Sequence, residues 1–237
     1  MNTPAEPPRI AITGATGNVG RVLVDRLPEH GFAVIPLSRS KHGTDFSNPP
    51  QLQNTFRDCA AVVHLAWQYA TDANTSGGTY LDNLMMNRLV LQASLDAGVP
   101  RVIMASSVHA DFFFDHTGLE HISPNRPPRG NGPYGCAKII AEQDALGFAN
   151  RGLDVIALRL GAVTSDNQPH PTDPWEQRVF LHHDDLLDLI DLLVRAPHTS
   201  PRCTMMFAVS DNPGRAHDTT NPFGWRPRRR SSETPER

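Results

Sequence analysis

The chain of 237 residues predicts an α/β fold, a doubly wound parallel sheet, and three observations carry that reading. Short apolar runs alternate with helix-like segments from residue 9 to residue 209. Several runs, such as residues 60–66 (AAVVHLA) and 101–105 (RVIMA), lack the polar alternation of a half-exposed strand, as expected where both sheet faces are covered. The first run breaks into a glycine turn and re-emerges at once as a helix.

That opening stretch, residues 9–20 (RIAITGATGNVG), sets the rest in order. Gly14, Gly17 and Gly20 recur every third residue between a strand and the helical sequence VGRVLVDRL. Gly14 allows the tight turn, Gly17 lets backbone approach a phosphate with no Cβ in the way, and Gly20 lets helix pack on strand. The N–H groups of the first helical turn, at Asn18 and Val19, then face an anion at the positive end of the helix dipole. The spacing points to a dinucleotide.

The helix is expected to end between residues 28 and 31, and residues 32–37 (FAVIPL) read as the second strand. A carboxylate normally follows such a strand to bind the adenosine ribose of NAD. Here the sequence is Ser38-Arg39-Ser40-Lys41, with no acid before Asp45. Arg39 suits a 2′-phosphate, which a guanidinium grips with two hydrogen bonds; stacking on adenine is the alternative. The expectation is NADP or NAD, with a slight preference for NADP. Asp45-Phe46 then opens a helical segment at residues 49–57, with Asp45 available to the adenine amino group.

His64, inside the apolar run at 60–66, reads as a satisfied core histidine. Residues 67–79 form a loop at the carboxyl end of that strand, where ligands of α/β sheets sit. Residues 80–97 carry apolar positions at helical spacing, with Met85 and Met86 read as core, and stop at Gly98. The strand 101–105 leads into Ser106-Ser107, and a loop rich in Pro, Gly and aromatics covers residues 110–133. A helix from Tyr134 to residue 150, a strand at 153–160, an irregular Pro-rich segment at 161–177, an amphipathic helix at 182–195 and a last strand at 203–209 complete the pattern. His182-His183-Asp184-Asp185 reads as a capped helix start rather than a metal site.

Composition restricts function. Hydrophobic residues make up 39% and charged residues 20%, with net charge −3, so no global electrostatic case exists for nucleic acid or an anionic membrane. No apolar run reaches spanning length, and MNTPAEPPR lacks a signal peptide's hydrophobic segment. Cys59, Cys136 and Cys203 are odd in number without metal-type spacing, which fits a reduced cytoplasm and no metal.

Tyr134 and Lys138 lie four apart on one helix face. An ammonium beside a phenol favours the phenolate, and a strand-terminal serine, Ser107, is placed to hold the same substrate oxygen. With GATGNVG, Asp45-Phe46, HLAW, Asn83, ASS and YGCAK, the sequence resembles the extended short-chain dehydrogenase/reductase family, which includes nucleotide-sugar epimerases and dehydratases. The resemblance implies a Rossmann fold and names Ser107 as oxyanion positioner and Tyr134 as acid/base. It assigns Lys138 to the nicotinamide ribose, Leu65 and Ala66 to the cofactor, and Asn83 to a structural role in its helix. It also implies a homodimer through the helices at 80–97 and 134–150.

Within that superfamily VIMASSVHADFF, YGCAKIIAE, ALRLGAV, FLHHDDLLDLIDLLVRAP and NPFGWRP resemble uronate dehydrogenases, which oxidise C1 of a hexuronic acid to the lactone. Several positions depart from that group. Its Ser-Asn-His run is Ser107-Val108-His109 here, its pocket serine is replaced near Tyr69, and its NAD-type acid is replaced near Arg39. His109 stands either as a donor to substrate or as an ordinary loop histidine, and Arg178 is the candidate to grip a carboxylate. The expected division is a disordered N-terminus (1–8), a dinucleotide-binding core (9–165), a small C-terminal substrate-binding portion (166–222) interleaved with the last strand and helix, and a flexible basic tail (223–237). The expected function is NAD(P)-dependent hydride transfer on a small hydroxyl or carbonyl compound; an epimerase or dehydratase with tightly held NAD, and a non-catalytic NADP-binding regulator, are the alternatives.

Overall fold

The computed structural model describes residues 6–69, 76–111, 121–197 and 203–232, with backbone alone at 76–79. In chain order the elements are β1 (Arg9–Thr13), α1 (Asn18–Arg26), a 3-10 turn (Leu27–His30), β2 (Ala33–Leu37), α2 (Arg39–His42), α3 (Pro49–Phe56), β3 (Cys59–His64), α4 (Ser76–Asp96), β4 (Arg101–Ser107), a 3-10 turn (Val108–Ala110), α5 (Gly132–Ala149), β5 (Asp154–Leu160), α6 (Pro174–Val179), α7 (His183–Arg195) and β6 (Cys203–Ala208). The six strands form one sheet in the order β2-β1-β3-β4-β5-β6. Every pairing is parallel. This is the predicted doubly wound sheet.

Parallel strands require crossovers that cover both faces. On one face α3, α4 and α5 pack Leu52, Phe56, Val90, Leu91, Ala141 and Ala145 against Val62, Val102 and Val155. On the other, α1 and α7 place Leu23, Leu186, Leu189 and Leu193 on Ile10, Ile12, Ile103 and Ile156. Between β1 and β3 the winding reverses, since β2 lies to one side of β1 and all later strands to the other. A crevice opens at the carboxyl ends of strands at such a switch point.

Thr13 and His64 end these two strands side by side. Thr13 Oγ accepts from Leu65 N at 3.1 Å and Ala66 N at 3.2 Å. With its lone pairs so used, its hydrogen is directed to His64 Nδ1, 2.7 Å away. Burial holds His64 well below the usual histidine value, at about 3, so the neutral ring is part of the strand junction. The expected core histidine is what the structure contains.

Several elements differ from the sequence reading. Helix α4 begins at Ser76 rather than 80, and α6 lies within the segment expected to be irregular, initiated by Asp173, whose carboxylate accepts from Trp175 N and Glu176 N. The short α2 was not anticipated; Ser38 caps it. Met86 is buried, but Met85 is 60% exposed beside Leu81 on the outer face of α4. The cap of α7, expected from residues 183–185, is His182 one residue earlier, accepting from Asp184 N.

The basic tail is held rather than free through residue 231. Trp225 is buried in the α1/α7 layer. Asp185 accepts from Arg228 N at 2.8 Å and Arg229 N at 3.1 Å, and Ser231 N donates to Asn212 Oδ1. Burying one large aromatic and satisfying backbone donors on a buried carboxylate offsets the ordering entropy that composition alone suggested would win. Residues 1–5 and 233–237 lie outside the described residues.

Candidate active site

A cavity of about 1010 Å³ spans the carboxyl ends of β2, β1, β3, β4 and β5. Its floor at one end is the glycine turn. Gly14 has φ +71°, and a Cβ there would lie 2.7 Å from Ala66 N; at Gly20 a Cβ would collide with the Gly14 carbonyl. At Gly17 the nearest protein atom to a Cβ is Gly14 O at 3.4 Å, so that position faces open space. Gly17 is the N-cap of α1 and no side chain caps the helix. An uncapped helix start beneath a backbone-lined cradle fits a pyrophosphate.

Gly14, Gly17, Asn18, Val19, Gly20, Arg39, Phe46, Leu65 and Ala66, all predicted for the cofactor, line this cavity. Arg39 donates to Gln68 Oε1 at 3.1 Å. Gln68 is itself clamped by Asn83, whose amide accepts from Gln68 N and donates to Gln68 O, both at 2.7 Å. Asn83 is therefore the structural asparagine expected on α4. Asp45 does not join the cavity lining; its carboxylate accepts from Ser47 N and Ser47 Oγ and closes an exposed turn.

Ser107, His109, Tyr134 and Lys138 converge at the other end. Ser107 ends β4 and caps the following 3-10 turn, its Oγ accepting from His109 N. Helix α5 can press against that turn because a Cβ at Gly135 would collide with the His109 carbonyl. The close approach brings Tyr134 and Ser107 to the same end of the cavity. The His109 ring meets Tyr134 edge-on, with centroids 5.5 Å apart.

The phenol does not carry the lowered pKa expected from its lysine. Burial and the neighbouring Tyr69 push Tyr134 well above the usual tyrosine range, and Ser107 acts against them. Lys138 is buried, donates to Ala105 O at 2.9 Å, and sits 3.6 Å from the centroid of the Trp67 ring. Burial lowers its pKa to about 7, with the Glu142 carboxylate opposing the shift.

Some of the site was not read from the sequence. Trp67, Tyr69 and Tyr80 surround the Tyr134 ring at centroid distances of 6.0, 5.6 and 6.2 Å. Behind the serine pair, Glu142 accepts from Ser106 Oγ at 2.6 Å and from Arg159 at 2.9 Å through each oxygen. The signal for this pair was available: Glu142 lies one helical turn past Lys138, and Arg159 interrupts an apolar strand, where a charge needs a buried partner. Arg178 is exposed on α6, stacked on Trp175 with its guanidinium 5.5 Å from the ring centroid, and is absent from the cavity lining. One helix face over, Glu176 and Val179 line it instead. The register of residues 161–180, which a helix now fixes, turned the arginine outward. Among the described residues no group of three or more His, Cys, Asp or Glu is arranged to hold a metal ion.

A glycine cradle at a sheet switch point, followed by a strand-end serine and a Tyr/Lys helix, defines a nicotinamide-dependent oxidoreductase of the short-chain dehydrogenase/reductase kind. Residues 10–176 match the NAD dependent epimerase/dehydratase family, and the chain belongs to that family. It is 30% identical over 193 residues to the L-arabinose 1-dehydrogenase (NAD(P)(+)) of Haloferax volcanii, covering 71% of this chain and 72% of that protein. It is 27% identical over 241 residues to the uronate dehydrogenase of Agrobacterium fabrum, covering 93% and 84%. A solved structure of a mutated uronate dehydrogenase shares the fold, with TM-score 0.77 and 22% identity over 95% of this chain and 83% of that one.

Proposed function

We propose that the protein is an NAD(P)-dependent dehydrogenase that oxidises a ring hydroxyl, in the sense of a sugar C1, through Ser107, Tyr134 and Lys138. The carrying observation is the convergence of Ser107, Tyr134 and Lys138 at the end of the cavity that begins in the glycine cradle. The nicotinamide supplies the hydride acceptor, or donor in the reverse direction. Ser107 and Tyr134 hold the substrate oxygen, and Tyr134 takes its proton as the alcohol becomes a carbonyl. Lys138 holds the ribose, and its protonated form sets a positive charge one helical turn from the phenol. Trp67 and Tyr80 keep water from the reacting atoms.

Gly14, Gly17, Gly20 and the α1 amides hold the pyrophosphate, and Arg39 at the far end favours the 2′-phosphate of NADP. Residues 166–222 supply the substrate end through Glu176 and Val179. A hexuronic acid, the substrate implied by the uronate dehydrogenase resemblance, lacks its expected partner because Arg178 is outside the cavity. The exposed apolar residues Leu81 and Met85 on α4 and Ile140 and Leu146 on α5 support a homodimer through those helices. Three free cysteines fit a reduced, cytoplasmic setting.

The test is formation of reduced cofactor from NAD and NADP separately, with neutral aldoses and hexuronic acids as substrates. Turnover with either cofactor supports the reading; a protein that binds dinucleotide but oxidises none of these compounds counts against it. Arg39→Ala is expected to lower the NADP-to-NAD ratio of kcat/KM, and an unchanged ratio removes Arg39 from cofactor choice.

A further inference from the structure

The substrate end of the cavity combines two kinds of wall. Tyr69 is 67% exposed, with its ring tilted against that of Tyr134, centroids 5.6 Å apart. Its exposed ring, beside the catalytic phenol, is a platform for a second ring. From α6 comes a carboxylate that lines the same cavity. Glu176 Oε1 accepts from His170 N at 2.8 Å, which leaves acceptor capacity on the group. Among the described residues the cavity's cations are Arg39 and Lys138. Arg39 belongs to the adenosine end. Lys138 is committed to Ala105 O and the Trp67 face. His109 is held below the usual histidine value by burial and stays neutral near pH 7.

An aromatic face and a carboxylate lining one cavity suit polyhydroxy rings: the C–H face stacks and the hydroxyls donate to the acid. The combination is hostile to a second carboxylate, which meets a like charge with no cation to screen it. We infer that Glu176 and Tyr69 select an uncharged aldose and reject the corresponding hexuronic acid, Glu176 acting as the specificity-determining residue. The inference rests on the dehydrogenase reading above and adds the charge of the substrate.

The experiment uses the full chain loaded with NAD or NADP. Oxidation of L-arabinose and D-galactose is compared with that of D-galacturonate, in the wild type and in Glu176→Gln. Binding of the same sugars to the loaded Tyr134→Phe variant is followed by calorimetry, which needs no turnover. The expected result is a preference of about tenfold or more in kcat/KM and in Kd for the neutral sugars, reduced severalfold in Glu176→Gln through gain on galacturonate. Tyr69→Ala is expected to raise KM for both classes. Equal or better use of galacturonate by the wild type, or a ratio unmoved by Glu176→Gln, overturns the inference. Absence of sugar binding by protein that still binds dinucleotide overturns it while leaving the cofactor site standing. Failure to bind either dinucleotide overturns the dehydrogenase reading with it.

Discussion

The Lys138 ammonium lies 3.6 Å from the centroid of the Trp67 ring, and this pairing of a buried cation with an aromatic face governs the charge available at the site. A ring face offsets part of the desolvation of an ammonium, by about 0.5–2 kcal/mol. Replacing Trp67 with Leu keeps the pocket dry and removes that face, so Lys138 loses its proton at lower pH. Tyr134, already pushed upward by burial, is then harder to ionise. The acid limb of the kcat/KM profile for oxidation is expected to move about half a unit or more toward alkaline pH. An unmoved limb would show that Trp67 only fills space.

The glycines separate folding from binding. Gly17→Ala places its methyl in open space 3.4 Å from the nearest protein atom, at the position where phosphate approaches. It is expected to leave Tm nearly unchanged while weakening dinucleotide binding about tenfold or more. Gly20→Ala forces its methyl into the Gly14 carbonyl and is expected to cost about 1–3 kcal/mol of stability as well. Thermal melts with and without dinucleotide distinguish the two.

Glu142 and Arg159 are 1% and 2% exposed and pair through both carboxylate oxygens. Glu142→Gln leaves Arg159 a buried charge with one fewer anionic partner and is expected to destabilise by about 3–5 kcal/mol in urea unfolding. The double variant Glu142→Gln/Arg159→Met is expected to cost less than the sum of the single changes, because it removes the orphaned charge. Strict additivity would contradict a direct coupling.

His64 makes stability depend on pH. Its folded pKa is depressed to about 3 from 6.5, so the unfolded chain binds the extra proton between those values and the native state does not. Stability from this group is full above about pH 6.5 and is lost as pH falls toward 3. His64→Asn, which keeps an acceptor for the Thr13 hydroxyl, is expected to show a lower Tm at neutral pH and a flatter decline across that window. An identical slope in both proteins would locate the acid sensitivity in carboxylates elsewhere.

The fold was legible because apolar runs of strand length and helical periodicity are local signals, and so was the glycine cradle, whose residues are contiguous. That Ser107, Tyr134 and Lys138 meet in one cavity followed from type and spacing, as did the neutral His64 within an apolar strand. What was not legible depends on contacts distant in sequence. The tail is held because Asp185 meets the Arg228 and Arg229 amides. Arg178 turns outward because Asp173 starts a helix within a Pro-rich stretch, which rotates Glu176 into the cavity instead. Met85 followed the apolar pattern but falls on the outer face of α4. The raised Tyr134 pKa reflects burial first and then Tyr69, which arrives from the loop after β3 and has no sequence relation to α5.

The central claim is that Tyr134 transfers the substrate proton. Its most direct test is Tyr134→Phe in the full chain, measuring dinucleotide affinity and the rate of cofactor reduction with a sugar that the wild type oxidises. Unchanged affinity and a rate lower by about 100-fold or more at neutral pH are expected. A variant that reduces cofactor at the wild-type rate would contradict the claim and remove Tyr134 from the chemistry.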